Sequence, residues 1–300
     1  DLIWFNEDDV PRNYSRSDFI ANNISISSAS FSSPGDDLVW FNEDDILSSY
    51  TRSSFTTNNV LIISALFRSP GVDLVWFNED DVPSRYERSQ FTTNNIDINY
   101  ASFSSPGIDL VWFNEDDVPN NYTRSSFTKN NINISSASFS SPGIDLVWFN
   151  EDDVPSSYYR TDFTVNNIFI DNSRFISPGI DLVWFNDNDV PDNYTVTLTD
   201  NINNLTQIIT YNAPGDDLLW HTSDDVIRNY TETKKDNSGK LIQRATFLSS
   251  GNDVIWLNGD DIPSSYSKFI YNADGVATGS INYNGPGSDG VWFTDDDTVS

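Results

Sequence analysis

The chain has 300 residues, with 45 acidic against 16 basic side chains and a formal charge of −29. So negative a surface repels phosphates and anionic lipid heads, which argues against nucleic-acid or membrane-surface binding. Cys is absent and His221 is the one histidine, which removes disulfides, thiolate chemistry and any ordinary His-based catalytic or zinc site. No run approaches the roughly 18 apolar residues of a membrane helix, and no signal peptide is visible. Met is also absent, which predicts a processed product or an internal fragment. Aromatics at 14 % are too many for a disordered acidic tail, so the composition describes a folded, anionic, extracellular-type β protein.

Taken in chain order, the sequence is one element repeated. Trp4, Trp40, Trp76, Trp112, Trp148, Trp184, Trp220, Trp256 and Trp292 follow one another at 36-residue steps. The units are 1–36, 37–72, 73–108, 109–144, 145–180, 181–216, 217–252 and 253–288, with a partial unit at 289–300. Such a period is the signature of a repeat array. The first five units are close copies and the last three have drifted.

Each unit opens with an acidic box, as in Asp73-Leu-Val-Trp-Phe-Asn-Glu-Asp-Asp-Val82. The first and last Asp of the box are present in all nine copies, whereas Glu79 has Ser223 and Gly259 as counterparts. A Gly, from Gly35 to Gly287, stands two residues before each of the eight later boxes. It predicts a turn that needs positive φ or close backbone approach. The rest of each unit reads as a β-hairpin. An Asn-Asn pair in the first five units, with Ser238-Gly239 and Asp274-Gly275 later, matches the positive-φ demand of a two-residue type I′ turn. That turn sets Ala21 opposite Ile24, Phe19 opposite Ile26 and Tyr14 opposite Phe31. Strict alternation then places Phe19 and Ile26 on one face and Tyr14 and Phe31 on the other. Stacked neighbours would cover both. The predicted fold class is all-β, a linear tandem array of 36-residue hairpins forming a solenoid-like rod or fibre.

Carboxylates and amides at fixed places beside a constant Trp and a turn Gly point to a hard cation, because Ca²⁺ takes six to eight oxygens in a flexible loop. A merely solvated face would have drifted in the late units. The candidate ligands are Asp1, Asn6, Asp8 and Asp9; Asp37, Asn42, Asp44 and Asp45; Asp73, Asn78, Asp80 and Asp81; and Asp109, Asn114, Asp116 and Asp117. They continue as Asp145, Asn150, Asp152 and Asp153; Asp181, Asn186, Asn188 and Asp189; Asp217, Asp224 and Asp225; Asp253, Asn258, Asp260 and Asp261; and Asp289, Asp296 and Asp297. Nine boxes with one Ca²⁺ each would bring −29 to about −11. The pattern is not an EF-hand. The Trp series predicts a core ladder, with stacked Trp burying area at every interface. Arg16, Arg52, Arg88, Arg124 and Arg160, with Lys268, predict pairing with nearby acids. His221 stands where most boxes have Phe and reads as drift.

Gly287-Ser-Asp-Gly-Val-Trp-Phe-Thr-Asp-Asp-Asp-Thr-Val-Ser300 resembles the GxDGxWFTxDD tandem repeats of large bacterial surface or secreted proteins. Tyr271-Asn-Ala-Asp-Gly275 and Asp236-Asn-Ser-Gly239-Lys-Leu-Ile242 are similar to the hairpins of YD (Rhs-type) repeats. The Gly-x-Asp-x-Val stretch also resembles half of an RTX calcium nonapeptide. The resemblance implies an extracellular or cell-surface bacterial location, strengthens the expectation of calcium and implies no catalysis. The expected function is a calcium-stabilised structural stalk, adhesin shaft or fibre that associates with itself. The alternative is a carbohydrate-binding eight-bladed β-propeller with surface glycans as ligands. A paired-carboxylate hydrolase is argued against by nine equivalent copies, since catalysis needs one asymmetric site.

Overall fold

A computed structural model describes residues 12–300. Its secondary structure is all strand: β1 (Tyr14–Ala21), β2 (Ile24–Ser33), β3 (Ile46–Thr57), β4 (Val60–Ser69), β5 (Val82–Thr93), β6 (Ile96–Ser105), β7 (Val118–Lys129), β8 (Ile132–Ser141), β9 (Val154–Val165), β10 (Ile168–Ser177), β11 (Val190–Asp200), β12 (Leu205–Ala213), β13 (Val226–Lys235), β14 (Leu241–Ser249), β15 (Ile262–Tyr271), β16 (Ala277–Gly285) and β17 (Thr298–Val299). The expected all-β array of 36-residue hairpins is therefore what forms. No helix among the described residues is long and apolar enough to cross a membrane. The chain packs as two compact units, Asp1–Ser125 with Ala137–Ser156, and Ser126–Ser136 with Ser157–Ser300.

Within the first unit β1 to β7 pair consecutively and antiparallel. In the second the same holds from β9 to β17. A propeller would interrupt pairing after every four strands, so the bladed alternative is not the architecture. Between hairpins the register shifts. Phe67 pairs with Pro83 and Ser69 with Val82. A proline without an N–H is tolerated at such a bulge.

The hairpin register is the expected one, with Tyr14 opposite Phe31, Phe19 opposite Ile26 and Ala21 opposite Ile24. Asn22 and Asn23 have φ of 47° and 64°, as a type I′ turn requires. The late turns differ. Gly239 and Gly275 take positive φ, the Gly275 N–H donates to the Asn272 carbonyl, and the register slips between Ile270 and Tyr271. That is the longer loop with a glycine bulge, not a two-residue turn.

The sharper departure concerns the faces. Alternation separates tip from base, yet Phe91 near the tip and Phe103 at the base lie 6.4 Å apart, and both meet Phe149, at 5.9 and 6.3 Å. Gln90, immediately before Phe91, has φ of 52°. One left-handed residue in mid-strand reverses the pleat, so tip and base share a side. Asp18, Ser54, Ser126 and Asp162 do the same in the other early units.

The core is a tyrosine series. Tyr50, Tyr86, Tyr122, Tyr158, Tyr194, Tyr230 and Tyr266 are fully buried. Each stacks on the aromatic ring opposite it, as Tyr50 does on Phe67 at 4.6 Å and 7°. The Trp side chains meet these tyrosines edge-on, Trp76 at 5.9 Å from Tyr50, rather than forming a stack of their own. Such pairs contribute about 0.5–1.5 kcal/mol beyond area burial. Arg16, Arg52, Arg88 and Arg160 lie over Phe rings of their own strands, Arg88 at 4.0 Å from Phe91, a cation–π contact beside the expected acids, Glu79 and Asp81 acting on Arg52 and Glu115 and Asp117 on Arg88. Arg160 adds an ion pair with Asp187 at 3.5 Å.

The glycine before the box serves both expected purposes, except that Gly215 makes the close approach without positive φ. Gly107 has φ of 70°, and a Cβ there would stand 2.1 Å from the Asp116 carbonyl oxygen. Gly107→Ala is expected to cost about 2 kcal/mol or more. Gly259→Ala meets nothing within 4 Å and is expected to stay within about 0.5 kcal/mol of wild type. Chemical denaturation of the two variants checks this, and equal losses would contradict it.

Candidate cation site in the acidic boxes

Each box is a loop of the chain folded around its own carboxylates. In the third box Asp73 Oδ1 accepts the Val75 N–H at 2.8 Å and Asp73 Oδ2 accepts Asn78 Nδ2 at 2.8 Å. Asn78 Nδ2 also donates to the Val75 carbonyl at 2.9 Å, and Asn78 Oδ1 accepts the Asp80 N–H at 3.1 Å. Asp80 Oδ2 accepts the N–H groups of Val72 and Asp73 at 2.8 and 3.1 Å. Phe77 has φ of 67°. Its N–H and that of Asn78 converge on Asp81 Oδ2 at 2.7 and 3.1 Å, the anion-binding nest that alternating backbone handedness creates.

Asp81 Oδ2 has a third donor, the hydroxyl of Tyr50 at 2.5 Å, 31 residues earlier. The same bond joins Tyr14 to Asp45, Tyr86 to Asp117, Tyr122 to Asp153, Tyr158 to Asp189, Tyr194 to Asp225, Tyr230 to Asp261 and Tyr266 to Asp297. The box is also gripped by the hairpin before that. Asn94, at the tip of β5–β6, donates to the Phe149 carbonyl at 3.3 Å. Asn22 does so to Trp76 and Asn166 to His221, at 3.3 and 3.2 Å. Each such box thus joins the base of one hairpin to the tip of the previous one.

The predicted ligands are therefore brought together, but first of all as acceptors for the loop's own N–H groups. Asp37, Asn42, Asp44 and Asp45 repeat the pattern. So do Asp109, Asn114, Asp116 and Asp117, and Asp145, Asn150, Asp152 and Asp153. Asp253, Asn258, Asp260 and Asp261 follow it as well. In the sixth box Asp181, Asn186 and Asp189 hold their places, and Asn188 donates its N–H to Asn186 Oδ1. Asp1, Asn6, Asp8 and Asp9 lie outside the described residues.

Among the described residues no three His, Cys, Asp or Glu side chains are placed to hold a metal ion by themselves. One oxygen nevertheless stays unmet. Oδ1 of Asp45, Asp81, Asp117, Asp153, Asp189 and Asp261 is buried with no hydrogen-bond partner, and Asp81 as a whole is 5 % exposed. Two late boxes show where that oxygen points. With Thr in place of Asn, Thr222 Oγ1 lies 3.2 Å from Asp225 Oδ1, 2.7 Å from Asp224 Oδ1, 3.2 Å from the Leu219 carbonyl and 3.5 Å from Asp217 Oδ1. Thr294 stands likewise between Asp296 Oδ1, Asp297 Oδ1 and the Val291 carbonyl. A hydroxyl has one proton for these acceptors. The donor set is all oxygen, suited to a hard cation and not to zinc.

Sequence reasoning missed the tyrosine–aspartate bond. Its signal was present, since a Tyr at one place in every full unit and the final Asp of every box are among the polar groups that never change. His221 is buried edge-on to Phe163 and Tyr194, at 6.0 and 4.8 Å. Burial lowers its pKa to about 4, so it fills the Phe position as a neutral ring.

No family model matches the chain, and no curated protein does. A solved Bacteroides fragilis protein of unknown function is 10 % identical, covering 47 % of this chain and 91 % of its own, with a TM-score of 0.29. At that score it carries no argument.

Burial holds the carboxyls of Asp81, Asp117, Asp153 and Asp189 above the ordinary 3.8, outweighing their donors. Asp80, Asp116 and Asp152 are drawn below it, chiefly by backbone N–H groups. For the first set the folded state binds more protons than the unfolded, so stability rises as pH falls toward about 4. For the second the unfolded state binds more, so stability is lost as pH falls below 3.8 through their folded values. Melting temperature against pH is expected to peak near pH 4, and a monotonic fall from neutrality would contradict this. Tyr86→Phe, which removes one of three donors to a buried carboxylate, is expected to cost about 1–3 kcal/mol. Denaturation of that variant measures it.

Proposed function

We propose that the chain is a structural, non-enzymatic repeat protein of the bacterial cell surface or exterior, a stalk or fibre component whose boxes take up Ca²⁺. The observation that carries the structural reading is the Tyr–Asp bond, made in equivalent form at eight successive junctions. A site copied at every step suits a load distributed along the chain. Chemistry needs one asymmetric constellation, and no described box differs from its neighbours in that way.

Calcium is supported by the unmet buried oxygens and by the charge. The loops between hairpins carry no Lys or Arg, so each box concentrates negative charge that nothing within it offsets. A divalent ion would take the free Oδ1 of the buried Asp together with Oδ1 of its neighbour and a backbone carbonyl, and would lower the repulsion between boxes. Ligand binding to the folded state raises apparent stability by mass action.

In metal-free protein, calcium titrated by calorimetry is expected to bind and to raise the melting temperature, and EDTA to reverse the shift, with magnesium much weaker. Identical melting curves with calcium and with EDTA would remove the ion and leave the structural reading to the Tyr–Asp bonds alone.

A further inference from the structure

The boxes carry an apolar ridge that the fold does not explain. Leu74, Leu110 and Leu146 have φ of 62°, 63° and 62°, a left-handed conformation that costs a residue with a Cβ roughly 1–2 kcal/mol. Glycine is free of that cost, and Gly290 stands at this place in the last box with φ of 71°. In the described boxes before it the position is Leu or Val. The side chain gains nothing from the fold in return, since Leu110 is 77 % exposed and its neighbour Ile108 is 95 % exposed. Strain and solvent-exposed aliphatic surface recurring together mark a place shaped for something outside the chain.

The border of the ridge says what fits. Leu110 and Val111 line a cleft of about 590 Å³ together with Glu79 and Asp80. Arg52 also lines the cleft, over the Phe55 ring at 4.0 Å, one positive charge against Glu79, Asp80 and Asp81. No loop bearing the ridge contains Lys or Arg. A second copy would bring the same negative charge to this surface, and an anionic bilayer would be repelled.

We propose that the ridge is a docking surface for a basic, aliphatic-rich polypeptide, whose Lys or Arg side chains enter the cleft against Glu79 and Asp80 while its apolar side chains cover Leu110 and Val111. Charge sets the approach and the aliphatic contact sets the residence time. The inference does not rest on the structural reading, and because the proposed ion would share Asp80 with the peptide it is stated for metal-free boxes and tested in EDTA.

The test uses the full chain, a short alternating Leu-Lys peptide, an oligolysine of equal charge, and zwitterionic and anionic vesicles. Two triple variants accompany it: Leu74→Asn/Leu110→Asn/Leu146→Asn, and the same positions changed to Gly, both residues at ease with positive φ. The Leu-Lys peptide is expected to bind wild type at least about tenfold more tightly than oligolysine does. Both variants are expected to melt at or near the wild-type temperature and to lose that preference. Glu79→Gln is expected to weaken binding and reduce its salt dependence. A marked drop in melting temperature in both variants would show that the leucines serve the fold and would overturn the proposal. Equal binding of the two peptides would overturn it in favour of charge alone. Vesicle binding that displaces the peptide, or wild-type self-association that the variants lose, would assign the ridge to a membrane or to a second copy instead.

Discussion

One buried carboxylate oxygen organises each repeat. Oδ2 of the last Asp in a box collects two successive backbone N–H groups and a tyrosine hydroxyl from the hairpin before it. An isolated carboxylate is expensive to bury. Three directed donors offset much of that cost, and they work only if the loop takes its left-handed turn and the tyrosine stays on its stacked partner. Local conformation, cross-strand stacking and the junction between repeats therefore stand or fall together. The acidic residue with this task never changes along the chain, whereas Glu79, whose counterparts include Ser223 and Gly259, is replaceable.

Around this bond the repeat distributes its work between two preceding hairpins. The base of one supplies tyrosine and a stacked aromatic ring. The tip of the one before supplies an Asn amide and an edge-on phenylalanine, as Asn94 and Phe91 do for Phe149. A box is thus held by two successive hairpins before it, so its burial depends on at least two earlier repeats. Nearest-neighbour reasoning for repeat proteins understates such coupling. The late units keep the tyrosine–aspartate bond and change the tip, where Asn204 instead meets Asn237 at 3.2 Å. Drift was tolerated at the tip sooner than at the base.

Much of this was legible beforehand because repetition substitutes for comparison. Nine copies of one motif show which positions vary, and a two-residue Asn-Asn turn fixes which residues face each other. Tyr14 opposite Phe31 follows from counting. The acidic box was legible as a place where oxygens gather, though the gathering serves the loop's own N–H groups before any ion. What counting could not reach was the face. Gln90, Ser54 and Asp18 share no residue type, yet each adopts positive φ and turns the rest of its strand over. Neither propensity nor alternation marks such a residue, because the position recurs while the residue type changes among Asp, Ser and Gln.

The sequence by itself determined the period, the strand class, the hairpin register and the need for glycine before each box. These are local matters, set by side-chain alternation, turn chemistry and the room a Cβ demands. Only the tertiary structure decided which donor meets which carboxylate, which side of the sheet the aromatics share, and that a leucine at positive φ would be left facing outward. Those depend on atoms 31 or more residues apart being brought within hydrogen-bond or van der Waals range, and no spacing rule along the chain encodes the directions in which they approach.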